Sequence, residues 1–245
     1  ARLVAEAGFE VIYMTGAGTT AARLGMPDVG LLSVTEMADN AGRIVDASGL
    51  PLISDADTGY GGPVNVFRTV SLFEKAGVAG IHIEDQNWPK RCGHLAGKTL
   101  IPADEMAAKI NAACDARNNK DFLIIARTDA LALDGLSAAL DRGKLYEEAG
   151  ADVIFVESPR TAEEIEAIPK NLSKPALFNM ASSGKTPFLS REEIADFGYK
   201  LAIYPNFAML AAIPSVRHYL AELHDKGSMS HIVNDMAPFQ DLFNL

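Results

Sequence analysis

Two aspartates stand two residues apart, at 55 and 57, at the end of the apolar stretch Pro51-Leu52-Ile53-Ser54. On an extended strand, residues i and i+2 share a face, so both carboxylates are expected to look the same way. Like charges placed so repel unless one is protonated or a cation lies between them. Hard oxygen donors, with a further acid at Glu84, suit Mg²⁺ (or Mn²⁺), which keeps several waters and takes few direct protein ligands. The competing reading has one Asp capping the glycine-rich turn Thr58-Gly59-Tyr60-Gly61-Gly62.

A second chemical feature is Lys90-Arg91-Cys92-Gly93-His94-Leu95-Ala96-Gly97-Lys98, which places basic residues around one cysteine, with two glycines after it. Nearby positive charge lowers a thiol's pKa and makes it a better proton donor or nucleophile. The plain alternative for His94 and Lys98 is a solvated basic loop. Cys92 and His94 could form half a zinc site, but no second half is found. Cys114 falls on the apolar spacing of a helix with Met106 and Ile110 and reads as core. His82 shares a strand face with Glu84, either as a satisfied interior histidine or as a group behind the acids. His218, His224 and His231 fall in a polar helical region and read as surface residues.

The elements that must position these groups alternate along the chain. Apolar runs at 11–14, 51–55, 80–84, 122–126, 153–157, 176–179 and 201–204 read as buried parallel strands. Helical spacing separates them, and three helices open with capping boxes: Ser33 with Glu36, Thr161 with Glu164, Ser190 with Glu193. Ala7-Gly8, Ala76-Gly77, Ala149-Gly150 and Phe197-Gly198 mark helix stops. Residues 1–7 read as a helix already under way, so an eighth strand is expected upstream. The expectation is one α/β domain over 1–245, a (β/α)₈ TIM barrel with its first strand missing from the chain and a C-terminal helical segment at about 214–245. A doubly wound sheet would need a Gly-rich first turn that is not found. Thr15-Gly16, Asp55 and Asp57, Glu84 and Asp85, Arg127 and Asp129, Glu157 and Asn179 all fall at the C-terminal ends of the strands, the face on which barrels build active sites.

Composition narrows the partners. A net charge of −10 over 245 residues argues against a nucleic-acid surface. No apolar run approaches the roughly 20 residues of a membrane helix. Two cysteines do not make a disulfide framework, so a reducing cytoplasm is the expected compartment.

The strings Ile12-Tyr13-Met14-Thr15-Gly16, Leu24-Gly25-Met26-Pro27-Asp28, Asp55-Ala56-Asp57-Thr58-Gly59, His82-Ile83-Glu84-Asp85-Gln86, Lys90-Arg91-Cys92-Gly93-His94 and Ala126-Arg127-Thr128-Asp129-Ala130 resemble the isocitrate lyase/phosphoenolpyruvate mutase superfamily over nearly the whole chain. The resemblance implies a Mg²⁺-dependent lyase acting on a 2-hydroxy or 2-oxo carboxylate, in a homotetramer whose last helix is exchanged between subunits. It implies that Asp55 and Asp57 hold the metal, with Asp28 and Glu84 acting largely through its waters. Thr15, Gly16 and Ala17 would cradle the carboxylate of the 2-oxo acid, and Arg127 would stabilise the developing oxyanion. Tyr13 would take the 2-hydroxyl proton, and Cys92, on a gating loop with Gly93 and His94, would protonate the departing carbanion. Glu157 and Asn179 match polar positions near loop and substrate.

Two departures bear on the substrate. Ala181 in Asn179-Met180-Ala181-Ser182 stands where methylisocitrate lyases carry Thr, and Phe207 stands where many relatives carry a small hydroxyl residue. Both remove hydrogen bonds to an extra carboxylate, which favours an alkyl-substituted malate over a tricarboxylate. Oxaloacetate hydrolysis, phosphonomutase chemistry and non-catalytic 2-oxo acid binding remain as alternatives. Intact Cys92, Arg127 and Tyr13 speak against the last.

Overall fold

Buried strands and covering helices follow one another along the chain. The computed structural model describes residues 1–91, 93, 97–182 and 185–244. Seven strands, β1 (Ile12–Met14), β2 (Leu52–Asp55), β3 (Gly80–Glu84), β4 (Leu123–Thr128), β5 (Val153–Val156), β6 (Ala176–Asn179) and β7 (Leu201–Ile203), form one parallel sheet in sequential order. Each neighbour pairs in register, for example Glu84 with Arg127 and Arg127 with Phe155. Sequential order without reversal is barrel topology, so the doubly wound alternative falls.

Helices cover the outside: α1 (Arg2–Glu6), α2 (Gly16–Leu24), α3 (Val34–Ser48), α4 (Pro63–Lys75), α5 (Ala103–Ala116), α6 (Leu131–Glu148), α7 (Ala162–Asn171), α8 (Arg191–Asp196), α9 (Phe207–Lys226) and α10 (Asp241–Asn244). All three capping boxes form, at Ser33, Thr161 and Ser190. The helices α1, α4, α6 and α8 stop at Ala7, Ala76, Ala149 and Phe197, each just before its glycine.

Side chains alternate between two cores, as a strand's period of two requires. One core lies between strands and helices and includes Val70, Phe73, Ile81, Ile83, Met106, Ile110, Ile124 and Ile154. The other fills the lumen with Ile53, Ile125, Val153, Phe155, Leu177 and Ile203, against which Tyr13 packs. Two residues on, towards the C-terminal mouth, the same face continues from Ile53 to Asp55, Ile125 to Arg127, Phe155 to Glu157, Leu177 to Asn179, Ile203 to Pro205 and Tyr13 to Thr15. No helix among the described residues is long and apolar enough to cross a membrane.

Candidate active site

The lumen's apolar floor gives way at the mouth to buried charge. Asp55, Asp57, Glu84, Lys90, Arg127 and Glu157 are all buried. The backbone reaches Asp57 differently from the expectation. β2 ends at Asp55, and Asp57 sits at φ +47°, in left-handed backbone, so strand alternation does not aim its side chain. A turn brings it there instead. The Asp57 N–H donates to Asp55 Oδ1 at 2.9 Å, and the Asp57 carbonyl accepts from the Glu84 N–H at 2.9 Å. Asp55 therefore does cap the following turn while its other oxygen, Oδ2, accepts from the Gly16 N–H at 3.1 Å. A Cβ on Gly16 would lie 2.7 Å from that oxygen, which requires glycine there. In this structure the Gly16 amide is given to Asp55. Thr15 and Ala17, at the N-terminus of α2, do line the cavity.

The cation between the carboxylates comes in part from the chain itself. Lys90 Nζ lies 2.6 Å from Asp28 Oδ1 and 2.6 Å from Asp57 Oδ1. Lys90 is thus a buried counter-ion of the acids, not a free member of a basic loop, and their charges push its pKa well up against the effect of burial. Burial raises the Asp57 carboxyl to about 6, with Lys90 opposing and Asp55 adding to the rise. Burial works against the Asp55 carboxylate too, but neighbouring positive charge holds it down at about 2. His82 is lowered to about 4, mainly by burial, so at neutral pH that charge is Lys90 and Arg127. Glu84 is pushed up by burial, and its Oε1 has no hydrogen-bond partner among the described residues.

Arg127 is fixed on several sides. Its guanidinium reaches Glu84 Oε2 at 2.9 Å and Asp129 at 3.1 and 3.2 Å, and it stacks 5.2 Å from the Phe155 ring centre. Glu157 accepts from Asn179 Nδ2 at 3.2 and 3.3 Å. Gly93 closes over this pair; a Cβ there would fall 2.4 Å from Arg127 Nη2 and 2.7 Å from Glu157. Lys98 holds the segment down, donating to the Gly93 carbonyl and to Asp129 Oδ1 at 2.7 Å. It is buried, so the solvated-loop reading fails for Lys98. Cys92 and His94 lie outside the described residues.

Other strand-end residues divide by parity. Asp85 takes bonds from the Asp129 N–H at 3.0 Å, Arg142 at 3.1 Å and Tyr146 at 2.8 Å, and ties elements together on the outer side. His82 and Tyr13 meet instead in the lumen, with Tyr13 Oη 2.8 Å from His82 Nε2. The shared parity of His82 and Glu84 marked the histidine as facing inward; the pairing with Tyr13 depends on a strand 69 residues away. Burial, then Asp55, pushes the Tyr13 hydroxyl well above its usual range, so it rests as a neutral phenol.

The cavity at the mouth has a volume of about 340 Å³. Its lining is mixed: Tyr13, Asp28, Asp55, Glu84, Lys90 and Arg127 are charged or phenolic, Asn179, Ser182 and Asn206 are polar, and Phe155, Ala181, Pro205 and Leu210 are apolar. Phe207 is 70% exposed at the start of α9, so its side chain does not shape the site as the sequence suggests. Leu210, one turn on, does. A cavity of similar size at the other side of the barrel is walled by Arg2, Ala5, Glu6, Ala47 and Asn244 and has no buried charge.

Known proteins align with this arrangement end to end. A family model described as phosphoenolpyruvate phosphomutase matches residues 1–224. The chain is 44% identical over 245 residues to 2,3-dimethylmalate lyase of Eubacterium barkeri, covering 100% of this chain and 85% of that one. It is 39% identical to 2-methylisocitrate lyase of Shewanella oneidensis, covering 99% and 83%. Among solved structures, oxaloacetate acetylhydrolase with 3,3-difluorooxalacetate superposes with a TM-score of 0.93 at 40% identity, covering 99% and 83%. Phosphonopyruvate hydrolase in complex with oxalate and Mg²⁺ superposes with a TM-score of 0.88 at 31% identity, covering 99% and 84%.

Proposed function

The chain belongs to the phosphoenolpyruvate mutase/isocitrate lyase superfamily and is a carbon–carbon lyase, and from that premise we propose that it cleaves an alkyl-substituted malate into a 2-oxo acid and a short carboxylate. One observation carries the choice of substrate. The cavity's lining includes Phe155, Ala181, Pro205 and Leu210 beside its acids and Arg127, and Ala181 offers no hydroxyl. A third carboxylate placed against those four side chains would find no donor on them, and a buried carboxylate without partners costs several kcal/mol. An alkyl group there is at home.

The donor set fits a divalent cation. Asp28 and Asp57 already converge on one cation, the Lys90 ammonium, and Glu84 Oε1 is buried with no hydrogen-bond partner among the described residues. Among those residues no three of His, Cys, Asp or Glu converge as a ready-made metal site, and Mg²⁺ takes few direct protein ligands. Asp55 and Asp57 would hold it, with Asp28 and Glu84 around its waters. Once bound, such an ion supplies positive charge that acidifies a neighbouring hydroxyl.

The protein's own groups then divide the work. The start of α2, at Thr15 and Ala17, receives the 2-carboxylate, as helix N-termini do for anions. Tyr13 rests as a phenol and first gives its own proton to solvent through the cavity; the phenolate then accepts the 2-hydroxyl proton. The carbon–carbon bond breaks, its electron pair leaves with the departing fragment, and the Cys92 thiol protonates that carbanion. Arg127, already oriented by Glu84 and Asp129, meets the growing oxyanion without reorganising. Glu157 and Asn179, bonded to each other beside Gly93, keep the loop segment and the far side of the cavity polar. The wider reading is a cytoplasmic homotetramer; what supports association is α9, which buries none of its residues in the single chain and exposes Phe207, Leu210, Ile213, Val216, Leu220 and Leu223.

Turnover of the purified protein on a panel of alkyl malates, methylisocitrate, oxaloacetate and phosphonopyruvate tests the reading. Alkyl malates are expected to give 2-oxo acid with kcat/KM on the order of a hundredfold above methylisocitrate. Faster turnover of methylisocitrate removes the substrate assignment. Oxaloacetate as the best substrate selects the hydrolase reading, which the likeness to oxaloacetate acetylhydrolase keeps in view.

A further inference from the structure

The buried contact between His82 and Tyr13 contains a choice that the fold has already made. His82 is fully buried, and Nε2 lies 2.8 Å from Tyr13 Oη and 3.6 Å from Asp55 Oδ1. Its other ring nitrogen, Nδ1, is buried with no hydrogen-bond partner among the described residues. The ring is held in place by Phe155, edge-on at 5.7 Å, and by the Tyr13 ring, stacked at 5.8 Å.

A neutral imidazole carries one N–H. On Nδ1 that hydrogen would be a buried donor without an acceptor, and the bare Nε2 lone pair would face the Asp55 carboxylate. On Nε2 it faces two oxygens, and only a lone pair is left alone. Orphaned buried N–H groups are rarer and costlier than under-used acceptors. Both observations favour the same tautomer.

We infer that His82 is a positioning residue: held as the Nε2–H tautomer, it donates to Tyr13 Oη and leaves the tyrosine's own O–H directed into the cavity. The consequence for catalysis rests on the proposed lyase reading. When Tyr13 gives its proton to solvent through the cavity that it lines, the same N–H remains on the phenolate oxygen and stabilises it. The 2-hydroxyl proton then passes to that oxygen as the carbon–carbon bond opens. His82 itself gains and loses nothing.

Two measurements on the whole protein test this. In ¹⁵N-histidine-labelled protein, the resonances lost in His82→Gln identify His82 among five histidines. They should show Nε2 protonated and Nδ1 bare, and the reverse pattern overturns the inference. In kinetics, the Gln amide reaches where Nε2 stands, whereas Asn reaches only where Nδ1 stands. His82→Gln should keep kcat within about tenfold of wild type, and His82→Asn should lose a further 10- to 100-fold, on the order of one hydrogen bond to a charged group. KM should move little in both. Equal damage in Gln and Asn, or a loss carried by KM, overturns the positioning role. If the wild type cleaves no alkyl malate, the substrate reading falls by itself and the resonances alone decide the tautomer. If Tyr13→Phe keeps full kcat, the step assigned to Tyr13 falls and His82 has nothing to position.

Discussion

Along β4, Ile124 and Ala126 point to the helices and are wholly buried among apolar neighbours, while Arg127 points to the mouth among Glu84, Asp129 and Glu157. The same strands thus build two regions by opposite rules. In the wall, capping boxes are closed and Phe73, Met106, Ile110 and Ile154 fill the space between layers. At the mouth, charges are taken out of water, and Glu84 Oε1, His82 Nδ1 and Asn179 Oδ1 have no hydrogen-bond partner among the described residues. Buried, incompletely partnered polar groups cost stability, so a fold that retains them at one end is keeping them for chemistry. In the proposed reading the wall carries the stability and the mouth carries the reaction.

The largest effect that can break this division comes from exchanging one residue in each region. Asp55→Ala should lower kcat by at least about a thousandfold, in the range of lost electrostatic stabilisation at a preorganised site, with a melting temperature close to wild type. Phe73→Ala should do the reverse, losing about 3–5 kcal/mol of stability with kcat nearly intact in the protein that remains folded. Thermal unfolding and saturating-substrate assays on both variants check this. An unfolded Asp55→Ala protein would place that carboxylate in the structural class.

The two cysteines give the next contrast. Cys92→Ala should lower kcat by roughly 10²–10⁴-fold, as for a lost general acid, with KM much less affected. Cys114 is half-buried on α5, donates to the Gly150 carbonyl at 3.2 Å, and has its thiol pushed up by burial. Cys114→Ala should therefore cost packing alone. Near-normal kcat in Cys92→Ala would make the loop a lid and send the proton's source elsewhere.

A smaller, graded effect follows from Asp57. Its carboxyl, raised by burial to about 6, is protonated below that pH, and a divalent cation must displace the proton. Mg²⁺ affinity should be level above pH 6 and fall by up to about tenfold per unit below it. Stability should move the other way. A carboxyl with a raised folded pKa binds more protons folded than unfolded, so from pH 6 down towards the usual carboxylate value this group adds to stability. Calorimetric titration and metal-free melting between pH 5 and 7 separate the two trends.

The wall was largely legible in the sequence because local rules suffice there. Strands 80–84 and 176–179 and the three capping boxes needed only alternation, apolar runs and cap chemistry. The mouth was legible as a set of residues but not as an arrangement. Alternation separates Glu84 from Asp85 and could have assigned Asp85 to the outer network. Nothing local tells that Asp57 turns at positive φ, that Lys90 folds back onto Asp28 62 positions earlier by number, or that Leu210 rather than Phe207 reaches the cavity. Those depend on partners brought together by the sequential order of strands.

The most direct test of a mouth kept for metal-assisted cleavage is turnover of an alkyl malate by exhaustively chelated protein, before and after Mg²⁺ is returned. This account requires 2-oxo acid release to vanish on chelation and to recover with Mg²⁺ or Mn²⁺, with the melting curve still showing a folded protein throughout. Full turnover in the chelated enzyme would contradict it.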